Sequence, residues 1–336
     1  MDIARRPTTM SQLAKLAGVS VSTVSRALAG NPAINDRTRE RIAALAREHG
    51  FQPNMVARNL RLQRTETIGV VLPLGHQADQ HLTDPFFLTI IGHLADELAQ
   101  RGFDMLLKKV VPRDDQWLRR LAESGRVDGI IVIGQSNQQA ALEMVAQSYQ
   151  PLVVWGASLP AQTYVTVGTD NMAGGTLATR HLIERGRRRL IFLGDNRAPE
   201  IAQREAGFQR ACDEAGLGAS AHSLRVGLVG EDAYRELLGI LDREVGVDGI
   251  VAASDVIAIA AIRALEARKC SVPRDVSVVG YDDVPIAEHV VPTLTTIRQD
   301  LAMGARLMIA KLFRLIAGVP QTSSVMTPEL VVRQSS

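Results

Sequence analysis

Along the first fifty residues, apolar positions recur at helical spacing in three short runs. Leu13, Ala14, Leu16 and Ala17 form the first, opened by Thr9-Met10-Ser11-Gln12 and closed at Gly18. Ser20 is placed to cap the second, in which Val21, Val24, Ala27 and Leu28 make the apolar stripe. Asn31-Pro32 breaks the chain. A third run, from about Asp36 to His49, presents Ile42, Leu45 and Ala46 and ends at Gly50. The pattern predicts three helices around a small core, with a tight glycine-containing turn between the first two. This is the helix-turn-helix plan.

Residues 51–67 read FQPNMVARNLRLQRTET. Val56, Ala57 and Leu60 would share one face of a short helix, with Arg58, Arg61 and Arg64 among them. So short a helix is not stable alone. It requires a partner, either DNA or a second copy of the segment, and otherwise stays an unfolded basic linker that folds on binding. Leucine among arginines fits a minor-groove wedge.

From Ile68 the period changes. Continuous apolar runs at 68–73, 103–109, 128–134, 151–156, 164–171, 188–194, 248–254 and 276–283 alternate with helical patterns at about 85–101, 114–124, 138–147, 171–185, 200–215, 231–241, 255–268 and 298–317. Continuous rather than alternating apolar strands predict parallel sheets covered on both faces. So many crossovers exceed one ordinary sheet. VDGIIVIG at 127–134 and VDGIVAAS at 247–254 echo each other, so two similar α/β lobes are expected, with a cleft at the strands' carboxyl ends.

Charge divides the chain at the same place. Residues 1–64 carry 11 Lys/Arg against 4 Asp/Glu, and the rest carry 27 against 32. A basic, folded N-terminal unit is an electrostatic footprint for a polyanion. The second helix of a helix-turn-helix enters the major groove, so its polar face must offer hydrogen-bonding groups. Ser20, Ser22, Thr23, Ser25 and Arg26 supply them. A bundle whose hydroxyls are merely solvated is the competing reading.

The 336 residues are 46% apolar, enough to bury a core without staples, and the two cysteines, Cys212 and Cys270, have no metal or redox spacing. MDIARRPTTM contains no apolar leader region, and no run is long enough to span a membrane, so a cytoplasmic location is expected. No phosphate-binding loop, nucleophile elbow or H-E-x-x-H motif is present. His76 and His81 have nothing nearby to complete a metal set. No enzyme activity, cofactor or metal is therefore expected.

The loops after predicted strands hold Asp84, Phe86 and Phe87, then Trp155, Asp195, Asp255 and Asp282, while Arg204 lies on the helix after Asp195. Carboxylates and an arginine beside aromatic rings suit a polyhydroxylated ligand. Taken singly, Asp84 and Asp255 serve equally as helix caps, and Phe86 and Trp155 as core. The alternative overall reading is a sugar-binding protein or carbohydrate-acting enzyme without a DNA role. The basic headpiece and the lack of a catalytic pair weigh against it.

MSQLAKLAGVSVSTVSRAL, NDRTRERI, FQPNMVARNL and TIGVVLP resemble the LacI/GalR family of bacterial transcriptional repressors. DPFF, TDNMAGG, REAGF, VVGYDD and PTLTTIRQD follow in the right order, extending the resemblance from about Met10 to Arg333. It implies an all-α helix-turn-helix headpiece with a hinge helix and a two-lobed, periplasmic-binding-protein-like α/β core. The expected domains are a DNA-binding domain at 8–52, a hinge helix and linker at 53–65, and an effector-binding and dimerisation core at 66–336. Lobe one is expected at about 66–165 and 295–324, and lobe two at about 166–292 and 325–336. By resemblance, Val21 and Ser22 take the base-reading positions, and Ser20, Thr23, Ser25 and Arg26 make supporting contacts. Asn54 and Ala57 match hinge contacts, and Leu60 matches the minor-groove wedge. Arg204 and Asp282 match effector contacts, with Phe87, Trp155 and Asp195 as looser matches. The implied partners are double-stranded operator DNA, a mono- or oligosaccharide effector and a second copy of the chain.

Overall fold

A computed structural model describes residues 9–51, 64–75 and 78–336. The expected hinge helix, with Asn54, Ala57 and Leu60, and also His76, lies outside the described residues. The chain divides into two compact units, Met1–Thr65 and Glu66–Ser336.

In the first unit, α1 (Met10–Ala17), α2 (Val21–Leu28) and α3 (Asp36–Glu48) enclose Leu13, Ala14, Ala17, Val24, Ala27, Ile42, Ala46 and Phe51. Thr9 and Gln12 form a reciprocal capping box at the start of α1. Gly18 closes it at φ +62, where a side chain would be strained. Arg41 on α3 donates from Nη2 to the Ala17 carbonyl (3.0 Å), tying the third helix to the turn. Two apolar residues of the sequence stripes stand outside this core: Leu16 is 54% exposed and Val21 40%. Val21 opens its helix, a turn ahead of Val24, where the small core has ended.

The second unit contains two six-stranded sheets. The first comprises β1 (Thr67–Pro73), β2 (Asp104–Val110), β3 (Gly129–Ile133), β4 (Leu152–Trp155), β5 (Val165–Thr169) and β11 (Ser324–Met326), in the order β11-β5-β4-β3-β1-β2. All its pairs are parallel. Helices α4 (Pro85–Ala99), α5 (Trp117–Ala122), α6 (Gln139–Ala146) and α11 (Leu301–Ile316) accompany it. The second sheet comprises β6 (Leu190–Leu193), β7 (His222–Leu224), β8 (Gly249–Ala252), β9 (Ser277–Asp282), β10 (Thr295–Arg298) and β12 (Glu329–Val331). Its order is β12-β10-β9-β8-β6-β7, with α7 (Asn171–Glu184), α8 (Pro199–Glu214), α9 (Gly230–Leu241) and α10 (Asp255–Ala267). Only β12 runs antiparallel among these pairs.

The lobe boundaries follow the strand pairing and differ from the expected ones. Val165–Thr169 pairs with β4 and so belongs to the first sheet. Thr295–Arg298 pairs with β9 and belongs to the second. The chain crosses near 170, 299–300 and 327–328, three times in all, between β5 and α7, β10 and α11, and β11 and β12.

The Val-Asp-Gly echo has a structural basis. Asp128 accepts from the backbone N–H of Glu66 at 2.9 Å, and Asp248 accepts from those of Arg188 and Arg189 at 2.8–3.0 Å. Each aspartate thus pins the start of β3 or β8 to the start of its neighbour, β1 or β6. The glycine that follows leaves room for apolar side chains, Leu312 at Gly129 and Leu190 at Gly249. No described helix is long and apolar enough to cross a membrane.

Candidate functional site

On α2, Ser20 is the N-cap. Its Oγ accepts from the Thr23 backbone N–H at 3.1 Å and lies 2.8 Å from both the Ser22 and Thr23 hydroxyls. Ser20, Val21, Ser22 and Arg26 are exposed, while Thr23 and Ser25 are half-buried beside the core-facing Val24 and Ala27. The helix N-terminus therefore presents a valine methyl surface and hydroxyls together, with a guanidinium in its last turn. A thymine methyl group is matched by an apolar contact, and base edges and phosphates by hydroxyls and arginine. An exposed valine opening an amphipathic helix is otherwise unexplained by packing.

In the second unit a cavity of about 670 Å³, its open mouth included, lies between the two sheets. Asp84, Phe86, Phe87, Trp155, Arg204 and Asp282 all line it. The structure thus brings together residues spread over almost two hundred positions. Asp84 is the N-cap of α4. Its Oδ1 accepts from the Phe86 N–H (2.9 Å) and its Oδ2 from Gln80 (3.1 Å). That cap turns Phe86 and Phe87 into the cavity wall. The Phe86 ring centroid lies 5.7 Å from that of Phe87 and 6.2 Å from that of Trp155, both tilted. Such rings offer apolar faces for the C–H surface of a sugar.

Across the cavity, Arg204 is 7% exposed and Asp282 6%. The guanidinium lies 3.7 Å over the Tyr281 ring, donates to Asn171 Oδ1 (2.9 Å) and to the Ala253 carbonyl (2.5 Å), and sits 3.7 Å from Asp282. Gln299 donates to the same oxygen, Asp282 Oδ1, at 2.7 Å. Burial pushes the Asp282 carboxyl up to about 7, a rise that Arg204 and Gln299 moderate and Asp84 reinforces. Asp282 has φ +116 and Asp283 φ +56, and Ser136 on the opposite wall has φ +50. Non-glycine residues held at positive φ around a cavity mark a site maintained against backbone strain.

Helix packing sets the position of Arg204. Helices α7 and α8 approach through Gly175 and Gly207, and Gly174 lets α7 close on Tyr281 of β9. A Cβ at these three glycines would run into the Arg204 carbonyl, the Met172 carbonyl and Tyr281 respectively. The phrases TDNMAGG and REAGF are thus the two halves of one close helix contact.

Two expected effector residues are absent from the cavity wall. Asp195 is held by Arg197, at 2.9–3.0 Å from Nε, and by Arg225 at 3.3 Å. Asp255 is 0% exposed. It accepts from the Thr296 hydroxyl (2.5 Å) and the Val284 N–H (2.9 Å), so it ties β10 and the turn after β9 to α10. The N-cap of α10 is Ser254, whose Oγ accepts from Ile257 N–H, and Ser254 lines the cavity instead. Glu200, Gln80 and Ser136 also line it and were not anticipated. Glu200 is in the first turn of α8, where an acid is expected merely to complement the helix dipole, so its sequence position carries no signal. Its Oε1 accepts from the Gln135 backbone N–H at 3.0 Å, a bond between the two lobes, and burial raises its pKa. Among the described residues, no group of three or more His, Cys, Asp or Glu could hold a metal ion.

A helix-turn-helix unit followed by a two-lobed α/β core with a cavity between its lobes defines a class: DNA-binding transcription regulators. Comparison with known proteins specifies it. Residues 9–54 match bacterial regulatory proteins of the lacI family, and residues 179–336 a periplasmic binding protein-like domain. The HTH-type transcriptional regulator CelR of Thermobifida fusca is 33% identical over 347 residues, covering 100% of both chains. A solved complex of CelR with cellobiose superimposes with a TM-score of 0.72 at 30% identity, over 98% of this chain and 99% of that one. The Lac repressor dimer bound to operator and an anti-inducer shares the fold, with a TM-score of 0.85 at 23% identity, over 98% of this chain and 99% of that one. The chain belongs to the LacI family: it is a sequence-specific DNA-binding transcriptional regulator and not an enzyme.

Proposed function

We propose that this chain is a homodimeric operator-binding repressor whose DNA affinity is set by a mono- or oligosaccharide bound between the core lobes. The observation that carries the reading is the cavity itself. A buried arginine–aspartate pair, Arg204 and Asp282, faces the three rings of Phe86, Phe87 and Trp155. This combines directional polar groups for hydroxyls with flat apolar surfaces for a pyranose face. CelR, which is similar over its whole length, is the protein seen with cellobiose.

In this reading Val21 and Ser22 contact bases, while Ser20, Thr23, Ser25 and Arg26 position the helix. Asn54, Ala57 and Leu60 engage the minor groove. Asp84, Phe86, Phe87, Trp155, Glu200, Arg204 and Asp282 hold the effector. Asp195 and Asp255 keep the second lobe in shape. Ligand and operator affect each other by linkage: whatever factor the ligand applies to DNA affinity, DNA applies to ligand affinity.

The test is a gel-shift series with DNA from upstream of the chain's own gene, with and without neutral sugars. Wild type should bind one site and change its affinity with an effective sugar. Asp282→Asn should bind the same DNA and lose the response. A normal response in that variant would remove Asp282 from the effector site.

A further inference from the structure

We infer that the effector carries no acidic group, and that Asp84, Glu200 and Asp282 enforce this by excluding phosphorylated sugars and sugar acids. The inference rests on the carbohydrate reading above and narrows it to a charge class. Among the described residues, the cavity wall holds these three carboxylates and a single cationic side chain, Arg204.

The guanidinium is held from two sides, leaving mainly its Nη2 edge for a ligand. Its Nε is donated to Asn171, its Nη1 to the Ala253 carbonyl, and its face rests on Tyr281 with Asp282 alongside. An acidic ligand reaching that edge would meet Asp282, 3.7 Å from the same guanidinium. The carboxylates, by contrast, have acceptor capacity left. Asp282 Oδ1 receives Gln299, and Glu200 Oε1 receives Gln135. The second oxygen of Asp282 accepts from no described side chain or backbone group, while Glu200 also receives its own backbone N–H. Oxygens with open lone pairs lining a cavity are receptors for hydroxyl or ammonium donors and repel oxyanions.

The three carboxylates also come from both lobes, Asp84 from the first and Glu200 and Asp282 from the second. A neutral polyol donating hydroxyls to both sets bridges the lobes. An anion placed among them would push them apart. One uncompensated carboxylate ~6 Å from a bound anion, at an effective dielectric of ~20, weakens binding about a hundredfold.

The experiment is titration calorimetry on the full-length chain at pH 8.5, above the value of about 7 to which burial pushes Asp282. Glucose, galactose and cellobiose are each paired with acidic counterparts: glucuronate and glucose 6-phosphate, galacturonate, and cellobionate. The expected result is that any neutral sugar that binds does so about a hundredfold more tightly than its acidic forms. In an Asp84→Asn/Glu200→Gln double variant that ratio should narrow by at least about tenfold. An acidic form that binds wild type as tightly as the neutral one overturns the inference and leaves the carbohydrate reading standing. An unchanged ratio in the double variant overturns charge as the cause. If neither form of any sugar binds, and the operator complex responds to none, the carbohydrate reading falls and this inference with it.

Discussion

At Asp282 two separate costs meet. Its backbone is held at φ +116, and its carboxyl is buried beside Asp84 and Asp255 with Arg204 as its one cationic neighbour among the described residues. Burial dominates, so its pKa rises from 3.8 to about 7 despite the arginine, and Asp255 is displaced in the same direction. The sign for stability follows from proton counting. Between about pH 4 and 7 the folded chain holds a proton that the unfolded chain has lost, so stability falls as pH rises through that window. Below it both states are protonated, and above it the loss is complete. Denaturant unfolding of the ligand-free wild type between pH 4.5 and 8 should therefore show declining stability. Asp282→Asn, which has no proton to lose there, should show a shallower decline. Parallel curves for the two proteins would place the proton elsewhere.

Glycines, more than side-chain contacts, decide how the elements of the second lobe meet. Gly207 on α8 faces the Met172 carbonyl, and Gly175 on α7 faces that of Arg204. Backbone cannot yield as a side-chain tip can, so Gly207→Ala should cost about 1–3 kcal/mol of core stability and displace the helix that carries Arg204. Thermal unfolding with effector titration would check both effects. A variant of unchanged stability would mean the helices have slack. The fold was legible in the sequence because its strands are continuously apolar and its helices periodic. The repeated Val-Asp-Gly phrase announced two lobes. The short strands β7, β10, β11 and β12 were not legible, because HSL, TTIR, SVM and ELV mix polar with apolar residues and form no continuous apolar run. The site was legible in part. Arg204, Asp282 and the aromatic residues lie where strand ends predict a cleft. Asp195 and Asp255 occupy equivalent positions but turn away, Asp195 to its near neighbour Arg197 and to Arg225, and Asp255 to Thr296, forty-one residues on, which no local pattern reveals. Glu200 was hidden for the opposite reason, since a first-turn acid already has an ordinary explanation.

For the whole molecule, charge is unevenly shared: residues 1–64 hold 11 basic against 4 acidic residues, and the remainder is acidic. Operator affinity should fall steeply with salt, its log–log slope set by about 0.9 per neutralised phosphate. Arg26→Gln should flatten that slope by about one unit per subunit bound if the guanidinium meets phosphate. An unchanged slope with altered sequence preference would assign it to a base instead. The three passages of the chain between the lobes have a further consequence. The first lobe needs α11 and β11 from beyond the second, and the second needs β12 from beyond α11. No single cut therefore liberates either lobe with its sheet complete. A protease that nicks the connection near residue 170 should leave two fragments that migrate together until denatured. Gene truncation anywhere between residues 300 and 324 removes β11 and β12 together and so damages both halves at once. For all their similarity, the lobes are not interchangeable cassettes but two halves sewn with the same thread.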